Sequence, residues 1–332
     1  NKVAGVMKES DRNTLNLNTT LFYTYNNLIF RNTIEFTRNW ANNSPYGSFS
    51  EYTSLNPYWA PYDEQGNLNK VFVVHTGMDD GANFEEEVYN PLYNATLNTK
   101  DQSYYTEVRD NFSVDWKISK EFRAVGSFSY TRQENGSDVF YPASHTKFVH
   151  YDENGMSDRK GQYTKGDGFS EKLDLQAGLN FNKTLGQHLI FANLTWNIST
   201  NRTNSTTTVA EGFGNDFMDD ISFGTKYETN GKPGGSNGKM REIGVIGAFN
   251  YSFADRYLFD ASLRKSASSI YGSDNRWGTF WSLGLGWNLH HESFLAGNDW
   301  VKNFKLRASV GYTGTQNSDP SQSRARYEYY DY

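Results

Sequence analysis

Apolar and polar residues alternate along most of the chain, and this pattern predicts β-strands whose two faces differ in polarity. In segment 15–24, Leu15, Leu17, Leu21 and Tyr23 share one face, while the other face carries mostly Asn and Thr. Successive side chains of a strand point to opposite sides of its sheet, so a period of two separates the two sets. The segment is therefore an amphipathic strand rather than a helix.

The same pattern recurs in pairs of segments joined by short turns. Asn tolerates positive φ, so Asn26-Asn27 suits a tight hairpin between the first two segments. Further short turns are expected near residues 120, 185 and 255. The pattern gives about ten strands, in the pairs 15–24 with 28–40, 108–118 with 122–130, 172–181 with 190–198, 243–253 with 257–263, and 277–289 with 304–312.

Strand length and loop length together indicate a membrane protein. The strands approach the roughly 9–11 residues that a tilted strand needs to cross the hydrocarbon core. The hairpins are separated by long connections at about 41–103, 133–169 and 200–240. Short turns on one side and long loops on the other are typical of bacterial outer-membrane barrels. We therefore predict an all-β fold, a transmembrane antiparallel β-barrel in the cell outer membrane, with residues 1–332 forming part of the barrel and the long loops outside the cell.

Composition agrees with this prediction. The mean hydropathy is −0.76, and no apolar segment approaches the roughly 18 residues of a membrane helix, yet a barrel scores alike because only alternate residues face lipid. Four aromatic residues expected near strand ends would form an interfacial girdle: Trp40, Tyr130, Trp196 and Tyr251. The polar face carries charges of both signs, as a water-filled lumen allows: Glu35, Asp115, Lys117, Lys172, Asp174, Arg264 and Arg307.

Several kinds of chemistry are disfavoured. Cysteine is absent, which excludes disulfides and thiolate metal sites. The net charge of −6 is spread along the chain without a Lys/Arg run, so nucleic acid is not an expected partner. The histidines lack metal-ligand spacing, and neither Asp79-Asp80 nor Asp219-Asp220 fits a calcium loop. We expect no metal, no cofactor and no enzymatic activity.

The long loops carry a family resemblance. It rests on the following segments in this order: SPYGSFSEY at 44–52, LNPYWAPYDEQG at 55–66, NPLYNATL at 90–97, FYPASHTK at 140–147, GQY at 161–163 and SVGYTGTQN at 309–317. Together they resemble the SusC/RagA family of TonB-dependent outer-membrane transporters of Bacteroidetes. One departure is Gly314-Thr315-Gln316-Asn317, where the family often has Gly-Asn-Gln after the Gly-Tyr-Thr strand.

The resemblance implies a 22-strand barrel filled by an N-terminal plug and covered outside by a SusD-like surface lipoprotein. It also implies TonB-energised import of glycan fragments or oligopeptides, with the TonB–ExbB–ExbD complex reached through a segment before the barrel. The present sequence contains neither plug nor TonB-binding segment and about half of the strands. Because unpaired strand edges are untenable in lipid, we expect the chain to be one wall of a longer protein.

Candidate ligand contacts lie in the loops. Aromatic faces stack on sugar rings and amides pair with hydroxyl groups, which selects Tyr58, Trp59, Asp63, Tyr93, Asn94, Phe140 and His145. The alternative for these residues is that they pin the loops or dock the partner lipoprotein.

Two other functions are considered. One is a secreted or surface β-protein that binds or cleaves polysaccharide, for which Asp63 and Glu64 are the paired carboxylates; adjacent turn residues usually diverge into solvent. The other is a receptor or adhesin barrel that binds without transport.

Overall fold

The computed structural model describes residues 1–79, 82–228, 231–271, 276–295, 300 and 302–314. Asp80 and the Thr315-Gln316-Asn317 part of the last family motif lie outside these ranges. The described residues form fourteen strands: β1 (Lys2–Ala4), β2 (Asp11–Tyr25), β3 (Leu28–Asn42), β4 (Val71–Asp79), β5 (Ala82–Tyr89), β6 (Lys100–Lys117), β7 (Phe122–Tyr141), β8 (Gln162–Leu185), β9 (His188–Glu211), β10 (Lys226–Tyr227), β11 (Gly234–Phe253), β12 (Tyr257–Ser268), β13 (Trp277–Asn288) and β14 (Lys305–Tyr312).

Twelve of these strands form one antiparallel sheet in which neighbours in sequence are neighbours in space. Its order is β1-β2-β3-β6-β7-β8-β9-β11-β12-β13-β14, with β10 added to β9, and β4–β5 is a separate hairpin. The ten long strands of this sheet are the ten that the alternation predicts. Short helices stand between them: α1 (Phe49–Ser54), α2 (Pro91–Asn94) and 3₁₀ turns at Thr146–Tyr151, Ser157–Arg159, Ile221–Phe223 and Leu289–His291. In the described ranges, no helix is long and apolar enough to cross a membrane.

The short turns have the backbone geometry that tight hairpins require. Tyr25 pairs with Leu28, and Asn26 between them has φ 51°. Gly186 occupies the same position in the β8–β9 turn, with φ 58°. Asn and Gly are the residues that adopt this left-handed conformation at least cost. The turn at Asn26 is therefore encoded locally, as predicted.

The register separates two faces of the sheet. One row of paired residues runs Phe30, Val114, Gly126, Ala177, Trp196, Val245, and the next row runs Arg31, Ser113, Ser127, Gln176, Asn197, Gly244. We name the face with the first row the apolar face and the other the polar face. All seven charged residues predicted for the polar side lie on the polar face in this register.

Large side chains on the apolar face are uncovered over a band next to the short turns. Trp196 is 44% exposed and Leu194 38%. The band ends where charged residues replace apolar ones: Tyr130 is followed by Arg132 on β7, and Ile198 by Arg202 on β9. We call this stretch the apolar band, and the parts of β7, β8, β9 and β11 beyond it the extensions.

The extensions correct two predicted loops. β7 continues to Tyr141, β8 starts at Gln162, β9 continues to Glu211 and β11 starts at Gly234. The connections are therefore 142–161 and 212–233, much shorter than the predicted 133–169 and 200–240. The cause is backbone pairing, which continues where the apolar–polar alternation stops. The first predicted loop, 41–103, agrees closely with the gap between β3 and β6.

Two of the predicted girdle positions differ in their surroundings. Tyr251 lies close to the β11–β12 turn, beside the stacked rings of Phe253 and Tyr257, which are 6.4 Å apart. Trp196 lies inside β9, because that strand continues to Glu211. The prediction that Trp196 marks a strand end is therefore wrong.

A small core covers the apolar face of the extensions. Phe140, Tyr163, Ala210 and Phe213 are all buried there, with Ile221 packed against them. The rings of Phe140 and Phe213 meet edge to face at 5.2 Å. The connection after β9 thus folds back over the sheet. It covers the apolar face at the level of the extensions, whereas the same face is bare in the apolar band.

Candidate functional site

A groove of about 1340 Å³ lies at the end of the sheet remote from the short turns. It separates the β3–β6 connection from the residues that follow β7. Its lining is rich in aromatic, hydroxyl, amide and acidic side chains. The lining includes Tyr46, Glu51, Tyr52, Trp59, Glu87, Asn94, Asp101, Tyr141, His145, Thr146 and Lys147.

The β7 side of the groove presents two adjoining rings whose planes are inclined by 52°. His145 lies 4.8 Å from Tyr141, centroid to centroid, and its Nδ1 accepts a hydrogen bond of 3.0 Å from the Lys147 N–H. Burial lowers the pKa of His145 to about 4, and the charge of Lys147 acts in the same direction. The imidazole is therefore neutral near pH 7, so this wall combines two uncharged rings with the Lys147 ammonium.

A polar network, buried at Gln162 and Glu211, holds that wall in place. The Lys147 ammonium lies 4.9 Å from the Tyr141 ring centroid and donates to Oε1 of Gln162. Gln162 Nε2 donates to Oε1 of Glu211 at 3.2 Å, and Arg159 pairs with the other oxygen of Glu211 at 3.2 Å. Glu211 is only 4% exposed. Removing one member would leave a buried charge without its partner, which is costly, so the network fixes the strand ends against connection 142–161.

The opposite wall is acidic. Ser48 caps α1. The Glu51 carboxylate accepts hydrogen bonds from the Ser48 backbone N–H at 2.8 Å and from the Ser48 hydroxyl at 2.7 Å. These bonds hold the pKa of Glu51 below its usual range. The pKa of Tyr141 is raised by burial first and then by the charges of Asp101 and Glu51. The groove therefore carries negative charge that faces an aromatic wall with one cation, Lys147.

Two ties hold the first long connection against the second. Asn94 Nδ2 donates to Oγ1 of Thr146 at 2.7 Å, and the Thr146 N–H donates to Oδ1 of Asn94 at 3.2 Å. The His150 ring bridges Glu87 and Glu153, each at 3.1 Å. Connections distant in sequence are thus joined by polar contacts, and the groove is the space left between them.

The structure brings three of the seven predicted contact residues into the groove. Trp59, Asn94 and His145 line it. Asn94 is at the same time bonded to Thr146, so the alternative of pinning the loops describes it equally well. Trp59 packs against Phe72, with ring centroids 5.6 Å apart.

The other four lie elsewhere. Tyr58 projects into solvent and is 93% exposed. The Asp63 carboxylate accepts backbone hydrogen bonds from Gln65 at 2.9 Å and Asn67 at 2.7 Å, so it closes a turn. Tyr93 lies beside the Lys70 ammonium at 5.0 Å. Phe140 is 0% exposed and therefore has no surface to offer a ligand; its prediction as a contact is corrected to a core role on the other face of β7.

Sequence reasoning did not select several groove residues. Tyr141 and Lys147 fall inside the family segment 140–147, so the neighbouring positions carried a usable signal. Glu51 could have been found from its capping box with Ser48. Gln162 and Glu211 meet only through the β8–β9 register, which has no local sequence signal. Among the described residues, no cluster of three or more His, Asp or Glu could hold a metal ion.

No family profile matches the chain. It is 45% identical to the TonB-dependent receptor SusC of Bacteroides thetaiotaomicron over 75 residues, which is 23% of this chain and 8% of SusC. It is 23% identical to the TonB-dependent receptor P26 of Formosa agariphila over 265 residues, 79% of this chain and 25% of P26. The chain therefore spans a quarter or less of the length of the curated relatives it matches.

Solved structures show the same fold. The RagAB peptide transporter matches with a TM-score of 0.65 and 18% identity over 91% of this chain and 32% of the other. The ferric citrate transporter FecA matches with a TM-score of 0.51 and 8% identity, over 86% and 35%. The chain thus resembles SusC/RagA-type TonB-dependent transporters in sequence and in fold, as its loop motifs predict. Its relatives are receptors and transporters rather than enzymes, in agreement with the predicted absence of enzymatic activity.

Proposed function

We propose that the chain is one wall of an outer-membrane barrel that imports glycan fragments or oligopeptides with energy supplied through TonB. The ligand is captured at the groove, and a SusD-like lipoprotein closes over the loops from outside. The mechanism is non-covalent: stacking on Tyr141 and His145 and hydrogen bonding to the opposite wall hold the ligand until it passes inward.

The contrast between the two faces of the sheet carries this proposal. The apolar face leaves large side chains bare beside the short turns, among them Leu175, Trp196 and Ile243, at the level where a bilayer's hydrocarbon core would cover them. The opposite, polar face of the same sheet carries Glu35, Lys172 and Asp174, which water can solvate and lipid cannot. A secreted β-protein would have to cover the apolar band. The outer-membrane reading explains both faces.

The relatives support the partner and the ligand class. RagAB is a peptide importer known in closed-closed and open-open states. Here the groove has acidic and amide groups on one wall and the rings of Tyr141 and His145 on the other, a combination that suits polar oligomers. We infer a lid partner because the groove opens at the end of the sheet beyond the apolar band, where a partner outside the membrane could close it.

The test uses the complete gene in the bacterium that encodes it. Deletion should abolish growth on the imported oligomer as sole source, and re-expression should restore growth in a tonB-positive strain only. Tyr141→Ala should lower uptake, whereas His188→Ala at a short turn serves as the matched aromatic control. Binding that persists in whole cells without TonB-dependent uptake would instead favour a receptor or adhesin.

Membrane fractionation distinguishes the proposed transporter from the remaining alternative, a secreted polysaccharide-binding protein. The proposed transporter should stay with the outer membrane after washing and require detergent for release. A protein recovered in the soluble fraction without detergent would contradict the proposal and favour the secreted polysaccharide-binding protein.

A further inference from the structure

Three cations share one patch on the apolar face, immediately beyond the apolar band. Lys239 of β11 lies directly opposite Arg202 of β9 in the register, and Arg241 follows two residues along on the same face. All three side chains are exposed. Like charges placed directly opposite each other across two strands are destabilising. We call these three residues the basic patch.

The nearby acidic residues do not neutralise the basic patch. On the same face, Glu134 and Glu171 both pair with Arg132, at 2.7 and 2.5 Å. Glu171 also stands directly opposite Arg202 in the register, so these two carboxylates meet four cations, Arg132 and the three of the basic patch. The Arg202 guanidinium lies against the Phe169 ring at 5.2 Å. Within the part of the chain that the structure describes, no carboxylate lies within 4.0 Å of a basic-patch nitrogen. The patch therefore carries excess positive charge.

The position of the basic patch along the strands indicates which group balances its positive charge. On the same face, Ile198 and Ile243 form the row next to Arg241, two rows from Arg202 and Lys239 and closer to the short turns, and they belong to the bare apolar band. A lipid whose chains cover Ile198 and Ile243 places its headgroup at the level of Arg202 and Lys239. Basic side chains at this level attract anionic lipid, and a guanidinium can hold a phosphate with two parallel hydrogen bonds.

We propose that Arg202, Lys239 and Arg241 bind the phosphate of a lipid headgroup in the outer leaflet. The partner is a phosphorylated membrane lipid, with its chains along β9 and β11 and its phosphate between the three cations. This inference rests on the membrane orientation in the proposed function and adds a specific lipid contact to it.

The experiment uses the full-length protein purified in detergent and native mass spectrometry. The probes are monophosphorylated lipid A and the same lipid after enzymatic removal of its phosphate. The variant is R202Q/K239Q/R241Q, and the control K172Q/R264Q/R307Q removes one Lys and two Arg from the polar face. We expect the native protein to prefer the phosphorylated lipid and the basic-patch variant to bind it roughly fivefold more weakly for each cation removed, about a hundredfold in all. The control should bind as the native protein does.

Equal binding of the two lipids, or equal losses in the two triple variants, would overturn the proposal. Millimolar inorganic phosphate is included as a competitor; complete displacement of the lipid would show a free-phosphate site and contradict a headgroup site. Membrane insertion is followed separately by heat-modifiable migration in electrophoresis. A protein that inserts normally but ignores the lipid phosphate refutes this inference alone, whereas one that never inserts refutes the proposed function.

Discussion

The apolar band and the extensions belong to the same strands, yet they treat the same face of the sheet in opposite ways. In the band, side chains such as Leu194 and Trp196 are left bare. In the extensions, Phe140, Tyr163 and Ala210 on that face are buried under the connection that follows β9, which contributes Phe213. The backbone pairing is continuous through both, since β8 and β9 pair over all 24 residues of each strand.

The difference marks the level along the strands at which the surroundings of the apolar face change from apolar to aqueous. Bare apolar side chains are stable only where the surroundings are apolar, and lipid meets that condition. Beyond the band the same face meets water, so the chain either places charges there, such as Arg202, or covers it with its own loop. Side-chain environment rather than strand pairing thus marks the membrane boundary, and the comparison can be tested from either side.

The largest effect is expected from the core of the extensions. Phe140→Ala removes a fully buried ring, and such substitutions typically cost about 3–5 kcal/mol. Because Phe140 contacts Phe213, the loss should appear as faster hydrogen exchange in residues 212–225, with the apolar band unaffected. Tyr58→Ala, at a residue 93% exposed, is the control and should change local stability by less than about 0.5 kcal/mol. Uniform destabilisation of all strands would contradict a separate outer core.

The second prediction tests the band itself. Leu194→Arg places a charge on the apolar face at mid-band and should cost about 2–4 kcal/mol in refolding from urea into lipid vesicles. Thr195→Arg, one residue away, points to the polar face and should cost much less. Equal losses from the two variants would mean that the faces have been assigned wrongly.

The sequence predicts the band better than the extensions, and the physical reason lies in this comparison. Alternation between Leu15 and Tyr23, or between Ile190 and Ile198, records lipid on one side and water on the other. From Thr200 to Thr208 both faces meet polar surroundings, so the alternation vanishes although the strand continues. A loop prediction there was wrong for that reason.

The candidate site, like the strands, could be predicted from the sequence only in part. Tyr58, Trp59 and His145 were selected as residue types suited to ligand binding, but their exposure depends on how the connections fold. The bond between Asn94 and Thr146 joins residues 52 positions apart, and no local pattern encodes it. Phe140 was predicted as a ligand contact because its aromatic character gave no information on which face it occupies.

The third prediction concerns the hydrogen bonds between Asn94 and Thr146. Asn94→Ala leaves the hydroxyl and N–H of the buried Thr146 without their partner and should cost about 1–3 kcal/mol. The loss should appear as faster exchange in residues 146–151. Asn94→Asp keeps an acceptor for both Thr146 groups and should recover most of the protection. Asn43→Ala, which breaks an exposed bond to Asp101, should leave this segment unchanged; an equal effect there would argue against a specific tie.

The smallest effect is the pH dependence of the groove wall. The pKa of His145 is lowered by burial to about 4, against 6.5 in an open loop. Between these values the open state binds a proton that the closed state excludes, so closed-loop stability is full above pH 6.5 and falls as the pH drops toward 4. Partial exposure of the ring weakens this dependence.

His150 titrates in the opposite sense and must be removed to see the effect of His145. Its bond to Glu153, and then the charge of Glu87, raise the pKa of His150, so its contribution is present below pH 6.5 and lost as the pH rises through the raised value. In a His150→Gln background, exchange of residues 146–151, corrected for the intrinsic pH dependence, should therefore quicken as the pH falls from 6.5 to 4. His145→Phe should abolish this change because it keeps the aromatic contact with Tyr141 and has no proton to gain. A pH response that survives in His145→Phe would assign the titration to another group. Its disappearance would show that the connection after β7 holds the titratable ring of His145 out of water, beside the aromatic wall of the groove.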